Sequence, residues 1–221
     1  MPSALERIVG EFTLELDDID RCLTENRFPQ VSCRVLPYDP IADGCVVALW
    51  DLWGRAVRTL VLECAAGPII TISGTVLIPR VARDETRALS RLVQEKAINH
   101  APYSLSFGVR GEPKWHMSGD VEAIANALEL PLASQFGAAF GVSQISLQSG
   151  VVLDNPIRGI QSVRNFIAHK GGRTLRTARR DAHGLGDRTV GEYVREVTRG
   201  GSTRFADWVD SMKVMLESAA G

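Results

Sequence analysis

Apolar residues recur at steps of three and four near the start of the chain: Leu5, Ile8, Val9, Phe12, Leu16, Ile19 and Leu23, with Glu11, Glu15, Asp18 and Arg21 between them. That spacing gathers the apolar set on one side of an α-helix and predicts a long amphipathic helix. Pro29, Pro37 and Pro40 end it, because each lacks a backbone donor and biases its predecessor away from helical angles. A second pattern, from about Asp43 to Ala66, spreads Val46, Val47, Leu49, Trp50, Trp53, Val57, Leu60, Val61 and Cys64 nearly around a helix. A helix apolar on most sides belongs at the centre of a bundle. Gly67 and Pro68 stop it. The run IITISGTVLIP that follows is β-branched with a Ser-Gly turn signal at its middle, which predicts a small β-hairpin inserted over residues 67–80.

Further along, Leu89, Leu92, Val93 and Ile98 predict a charge-rich helix over 81–98, exposed along one side. Residues 101–119, with Gly108, Gly111, Pro113 and Gly119, read as a long connection and a second insertion. Ser118 or Asp120 is placed to cap the next helix, which runs to Leu130. The stretch 131–149 is ambiguous, since FGAAFGVSQISLQ has helix-like apolar spacing weakened by Gly137 and Gly141. Asn155 and Pro156 open a helix whose inward stripe is Ile157, Ile160, Val163 and Ile167. Helices over 189–198 and 202–218 complete the chain. The expected fold is mainly all-α, a compact helical bundle in one principal domain.

Composition narrows the function. The chain has 221 residues, 45% of them apolar, enough for a well-buried core. Its formal charge of −1 gives no global attraction to polyanions, so any such site must come from local clustering. Cysteines 22, 33, 45 and 64 have no CxxC pairing and no nearby histidines, which argues for reduced, mostly buried thiols over a zinc site or disulfide framework. The N-terminal MPSALERIVGEF lacks an apolar h-region, and Asp51, Arg55, Gly67 or Pro79 interrupt the apolar stretches, so a soluble cytoplasmic protein without a membrane anchor is expected. The four tryptophans read as core residues. There is no Walker loop, dinucleotide fingerprint or HExxH motif.

The chemistry that stands out is in SVRNFIAHKGG, residues 162–172. Asn165 and His169 lie four apart and share a helix face. Arg164 and His169 are five apart, about 140° around a straight helix, so they converge only through the reach of arginine, a distorted last turn or a second subunit. Gly171 and Gly172 are suited to such a distortion. Histidine exchanges protons near neutrality, and arginine offers a permanent fork of donors for phosphate oxygens. Together they supply a base, an acid and a cation for RNA cleavage without metal, with Asn165 orienting the histidine or the substrate. Lys170, Arg173, Arg176, Arg179 and Arg180 follow with no acid until Asp181, and read as a phosphate-binding track. Arg110 with His116 and Arg176 with His183 have similar spacing but fall in loop-like sequence. A structural role remains open for the motif: Arg164 paired to a carboxylate on a neighbouring helix, and His169 capping C-terminal carbonyls.

Arg164, Asn165 and His169 resemble the motif of the HEPN superfamily, in which an Arg followed by a polar residue precedes a His by four to six positions near a helix end. The resemblance implies a helical bundle over most of the chain, a homodimer in which two motifs form one cleft, and metal-independent RNase activity without a cofactor. It implies a toxin or antiphage defence effector, with RNA as substrate and an antitoxin or defence-system protein as partner. Two positions after the histidine, where members paired with a nucleotidyltransferase antitoxin carry tyrosine, this chain has Gly171. A non-catalytic RNA- or nucleotide-binding module, and a helical subunit of a larger assembly, stay open beside this reading.

Overall fold

The computed structural model describes residues 3–26, 39–94, 115–147 and 150–221. Pro29, Cys33, Pro37, Ile98, His100 and Arg110 lie outside the described residues, with most of the connection expected over 101–119. Nine helices and two short antiparallel hairpins make up the described fold, which is mainly all-α as expected.

The elements begin where capping chemistry allows. In α1 (Ala4–Glu25), the Ser3 hydroxyl accepts from the Glu6 N–H at 3.0 Å and the Glu6 carboxylate accepts from the Ser3 N–H at 3.1 Å, a reciprocal capping box. Helix α2 (Pro40–Ala66) starts three residues earlier than the apolar pattern implies. Asp39 accepts from the N–H groups of Ile41 and Ala42, and Pro40 occupies the first helical position, where its missing donor costs nothing. The predicted hairpin forms as β1 (Ile69–Ile70) and β2 (Val76–Leu77), with Ile69 opposite Leu77 and the turn carried by Gly74 at φ 86°. The charge-rich helix is α3 (Glu85–Gln94), and α4 (Ser118–Ala127) follows with no side-chain cap, so neither Ser118 nor Asp120 plays that part.

The ambiguous stretch divides. Its first part is α5 (Ala133–Gly141), and the remainder pairs as a second hairpin, β3 (Gln144–Ser146) with β4 (Val152–Asp154). Helix α6 (Ile157–His169) carries the motif, and the Asn155 side chain accepts from the Ile157 N–H at 3.0 Å as its opening sequence suggests. The basic stretch is itself helical, α7 (Gly172–Asp181). Helices α8 (Val190–Val194), with a Thr189–Glu192 capping box, and α9 (Arg204–Ala220) finish the fold.

Contacts divide the chain into two compact units. The first comprises Met1–Glu11, Gly54–Val142 and Met215–Gly221. Leu60, Leu92, Ile124, Leu128 and Phe136 are fully buried in it, and the Phe136 and Phe140 rings stack at 5.9 Å. Its hairpin is tied to α9 by the Ile72 N–H donating to the Ala220 carbonyl at 2.9 Å. Trp115 is buried and His116 half-buried, packed so closely over α2 that a Cβ at Gly54 would sit 2.5 Å from its Nε2. Glycine is required there by close approach, not by backbone angle.

The second unit comprises Phe12–Trp53 and Ser143–Val214. Leu16, Leu49, Trp53, Ile160, Val163, Val194 and Phe205 are among its deepest apolar side chains. Each such residue stabilises by about 1.5–3 kcal/mol relative to exposure. Trp50, Trp53, Trp115 and Trp208 are all buried, as their reading as core residues requires. Cys45 and Cys64 are buried and their thiols are pushed up to about 12, chiefly by burial, whereas Cys22 is exposed. No helix among the described residues is long and apolar enough to cross a membrane.

Candidate functional site

The motif helix and the basic helix are neighbours in sequence and pack in the second unit. Gly159 makes their contact close: a Cβ there would lie 3.3 Å from the Asp181 carbonyl oxygen. Asp181 then locks the pair. It accepts from the Ser162 hydroxyl at 2.7 Å and forms ion pairs with Arg158 at 3.6 Å and Arg180 at 2.8 Å. The Arg180 hydrogen bond, followed by that of Ser162, outweighs desolvation and holds the Asp181 carboxyl down to about 2.

Helix α6 is regular through His169, so the distortion expected from the two glycines is absent. The left-handed residue that ends the helix is Lys170, at φ 47° and ψ 24°, while Gly171 is extended. A lysine holds this position because its ammonium is anchored at 2.7 Å to the buried Asp43 carboxylate of α2, and it lies 5.9 Å from the Phe166 ring centroid. Burial raises the Asp43 carboxyl, and the hydrogen bond from Lys170 opposes that rise. Gly171 then starts α7, its N–H donating to Thr174 Oγ1 at 3.2 Å while that hydroxyl donates back to the Gly171 carbonyl at 2.8 Å.

Because α6 is helical through His169, regular helical geometry sets Arg164 and His169 about 140° apart around one chain's helix. Asn165 and His169 share a face. Arg164 is half-buried, and its Nη1 approaches the Asn165 Oδ1 at 3.5 Å. Its Nε is buried without a hydrogen-bond partner, and no carboxylate among the described residues pairs with it. The structural role that would pair Arg164 to a neighbouring acid is thus not met. His169 is exposed and makes no hydrogen bond to helix carbonyls among the described residues.

The arginines of α7 behave differently. Arg173, Arg176, Arg179 and Arg180 are all exposed and fall within an arc of about 120° around the helix. Leu175, Ala178 and Ala182 lie on the other side, with Ala178 and Ala182 buried. Arg179 pairs with Asp187 at 2.6 Å and Arg180 with Asp181, while Arg173 and Arg176 carry no ion pair among the described residues. The Arg179–Asp187 pair is exposed and costs little to exchange for a phosphate, whereas Arg180 is bound to the buried Asp181 carboxylate. Lys170, by contrast, is committed to Asp43.

Three of these features escape sequence reasoning. The Lys170–Asp43 pair joins residues 127 apart in sequence, with no local signal. The helical state of residues 172–181 is announced only by the short spacing of Leu175, Ala178 and Ala182, outweighed by the Gly171–Gly172 pair at its start. The Asp181 hub needs Ser162 and Gly159 of another helix. Among the described residues no grouping of three or more His, Cys, Asp or Glu side chains is arranged to hold a metal ion. No family model, curated protein or solved structure matches the chain.

Proposed function

We propose that this protein is a metal-independent endoribonuclease of HEPN type that acts as a homodimer. One observation carries the reading: Arg164 holds a half-buried guanidinium with no carboxylate partner among the described residues and a buried Nε left unpaired. A buried guanidinium N–H without an acceptor is costly, and a phosphate oxygen is the acceptor an arginine fork fits best. His169 stands exposed at the end of the same helix, and the arginine face of α7 begins four residues later.

In the reaction, a histidine takes the proton of the ribose 2′-hydroxyl, the 2′-oxygen attacks phosphorus, and the bond to the 5′-oxygen breaks. A second acid returns a proton to that oxygen, leaving a 2′,3′-cyclic phosphate and a 5′-hydroxyl. Arg164 holds the charge of the crowded phosphorus centre. The angular separation of Arg164 and His169 in one chain makes a second copy the supplier of the missing partner, and two His169 side chains then serve as base and acid. A toxin or antiphage effector is the biological setting this chemistry suits, with an antitoxin or defence-system protein as its control.

A second reading has an observation of its own. The five-residue step between Arg164 and His169 on the helical α6 puts them on different faces of one chain, which favours a module that holds RNA on α7 without cutting it. The deciding experiment incubates the protein with structured and unstructured RNA in excess EDTA, beside His169→Ala and Arg164→Ala. Cleavage by the wild type alone with cyclic phosphate ends supports the nuclease. Salt-dependent binding without cleavage by any of the three supports the binding module.

A further inference from the structure

The β1–β2 hairpin of the first unit presents an apolar face to solvent, and residues 69–79, IITISGTVLIP, carry no charge to protect it. Ile69 and Thr71 are buried on its inner side, whereas Ile70, Ile72, Val76 and Ile78 are 47%, 42%, 60% and 67% exposed. Proteins ordinarily blunt such edge strands with charged side chains or a covering element.

Hydrogen bonding tells which edge is open. The Thr71 N–H donates to the Thr75 carbonyl at 2.9 Å, and the Thr75 N–H donates to Thr71 Oγ1 at 3.1 Å, so Thr71 and Thr75 turn their polar groups towards each other. By antiparallel alternation Ile70 and Val76 form a non-bonded pair, and their N–H and C=O groups point away from the hairpin. The β1 side of that outer edge is occupied, since the Ile72 N–H donates to the Ala220 carbonyl at 2.9 Å. On the β2 side, the backbone groups of Val76, and of Ile78 two residues on, meet no partner among the described residues.

This edge is complementary to itself. Two copies of β2 set antiparallel about a two-fold axis at Leu77 place Val76 opposite the partner's Ile78 and Ile78 opposite the partner's Val76. Each of these pairs exchanges two hydrogen bonds. Pro79, which has no N–H to give, falls opposite the partner's Thr75, where no bond across the axis is needed. β-Branched side chains then face each other on the outer surface, a favourable cross-strand pairing, and no charge on either copy opposes the contact. We propose that β2 is an interface for a second copy of this chain, which adds its own β2 to build a four-stranded antiparallel sheet from two hairpins. Two short strands and a few side chains cover less than the roughly 1,200 Å² of a standard interface, so the dimer is of the weak class. The inference does not depend on RNA cleavage, and it uses the first unit, whereas Arg164 and His169 belong to the second.

Sedimentation of the full chain from about 10 µM to about 1 mM should show a monomer–dimer equilibrium, as a weak interface requires. Val76→Lys together with Ile78→Lys, at exposed positions that leave the hairpin's own bonds intact, sets like charges opposite each other and should weaken association at least about tenfold. Leu14→Lys on α1, at an equally exposed apolar position, should leave it unchanged. Val76→Pro separates backbone pairing from general stickiness, because it removes only an N–H that points away from β1, and it should abolish association. Leu77→Cys tests the axis in a Cys22→Ser, Cys33→Ser background. A non-bonded pair sets Cα atoms about 4.5 Å apart, within disulfide reach, so mild oxidation should link two copies, whereas Thr75→Cys should not link them. The proposal is overturned if the wild type stays monomeric at about 1 mM, which would leave the edge to a strand of another protein. It is equally overturned if the lysine pair leaves association unchanged, or if Leu77→Cys yields no more linked dimer than Thr75→Cys.

Discussion

Helices α6 and α7 are separated by only two residues, Lys170 and Gly171, yet they handle charge in opposite ways. In α6 Arg158 is exposed and paired with Asp181, whereas Arg164 is drawn half inside with no counter-ion among the described residues, and its proposed partner lies five positions on, around the helix. In α7 the arginines stand at steps of three and four, so they gather on one exposed face with the apolar residues opposite. The number of charges near the motif is therefore a poor guide to what acts together. Helical spacing sorts them: Arg173, Arg176 and Arg180 share a face, and Arg164 and His169 do not.

The largest effect expected from breaking that contrast is on chemistry. His169→Ala should lower RNA cleavage by about 10²-fold or more while RNA is still retained on α7, the range set by losing a general acid or base. Single-turnover cleavage assays check this, and an undiminished rate would reduce α6 to a scaffold. Next comes binding. Replacing Arg173 and Arg176 together by Gln should weaken RNA affinity about tenfold at low salt and flatten the salt dependence by about one unit of slope per arginine. Affinities measured across a salt series would show it, and an unchanged slope would remove α7 from the interface.

The corner between the helices gives a smaller effect. Lys170→Met strands the buried Asp43 carboxylate and should cost about 1–2 kcal/mol, a buried-pair loss reduced because the lysine is half-exposed. Asp43→Asn in the same chain should restore most of it, as seen in denaturant midpoints. Smallest is a pH effect at Asp181. Its carboxyl is held down to about 2 in the folded protein, so the stability it adds is full above its unfolded value and fades as pH falls from about 4 towards 2. Thermal midpoints should therefore drop less steeply with acid in Asp181→Asn than in the wild type.

Much of this arrangement is written in local pattern. The apolar steps of α1 and the crowded circumference of α2 give those helices directly, and Asn155 and Pro156 mark the start of α6. The hairpin at Ile69–Leu77 is legible because β-branched residues flank a Ser-Gly turn. What local pattern hides has physical causes. Three-residue strands such as β3 and β4 are too short to show alternation, and helix-like spacing in FGAAFGVSQISLQ runs straight into them. Gly171 and Gly172 at the start of α7 look like a breaker, but the left-handed strain falls on Lys170, because an aspartate from α2 compensates it. For the candidate site, the sequence shows the residue types and their spacing. That Arg164 Nε is buried and unpaired emerges only once the surrounding side chains are in place.

The division of the chain into two units bears on how the proposed activity can be tested. Each unit is assembled from separated stretches, and α1, α2 and α9 each contribute to both. No contiguous fragment holds one unit without most of the other, and a cut at any unit boundary within those helices severs a helical hydrogen-bond ladder. A deletion that removes either unit would thus cut into helices the other unit needs. Testing the proposed RNA cleavage and RNA retention falls to single side-chain replacements in the intact chain.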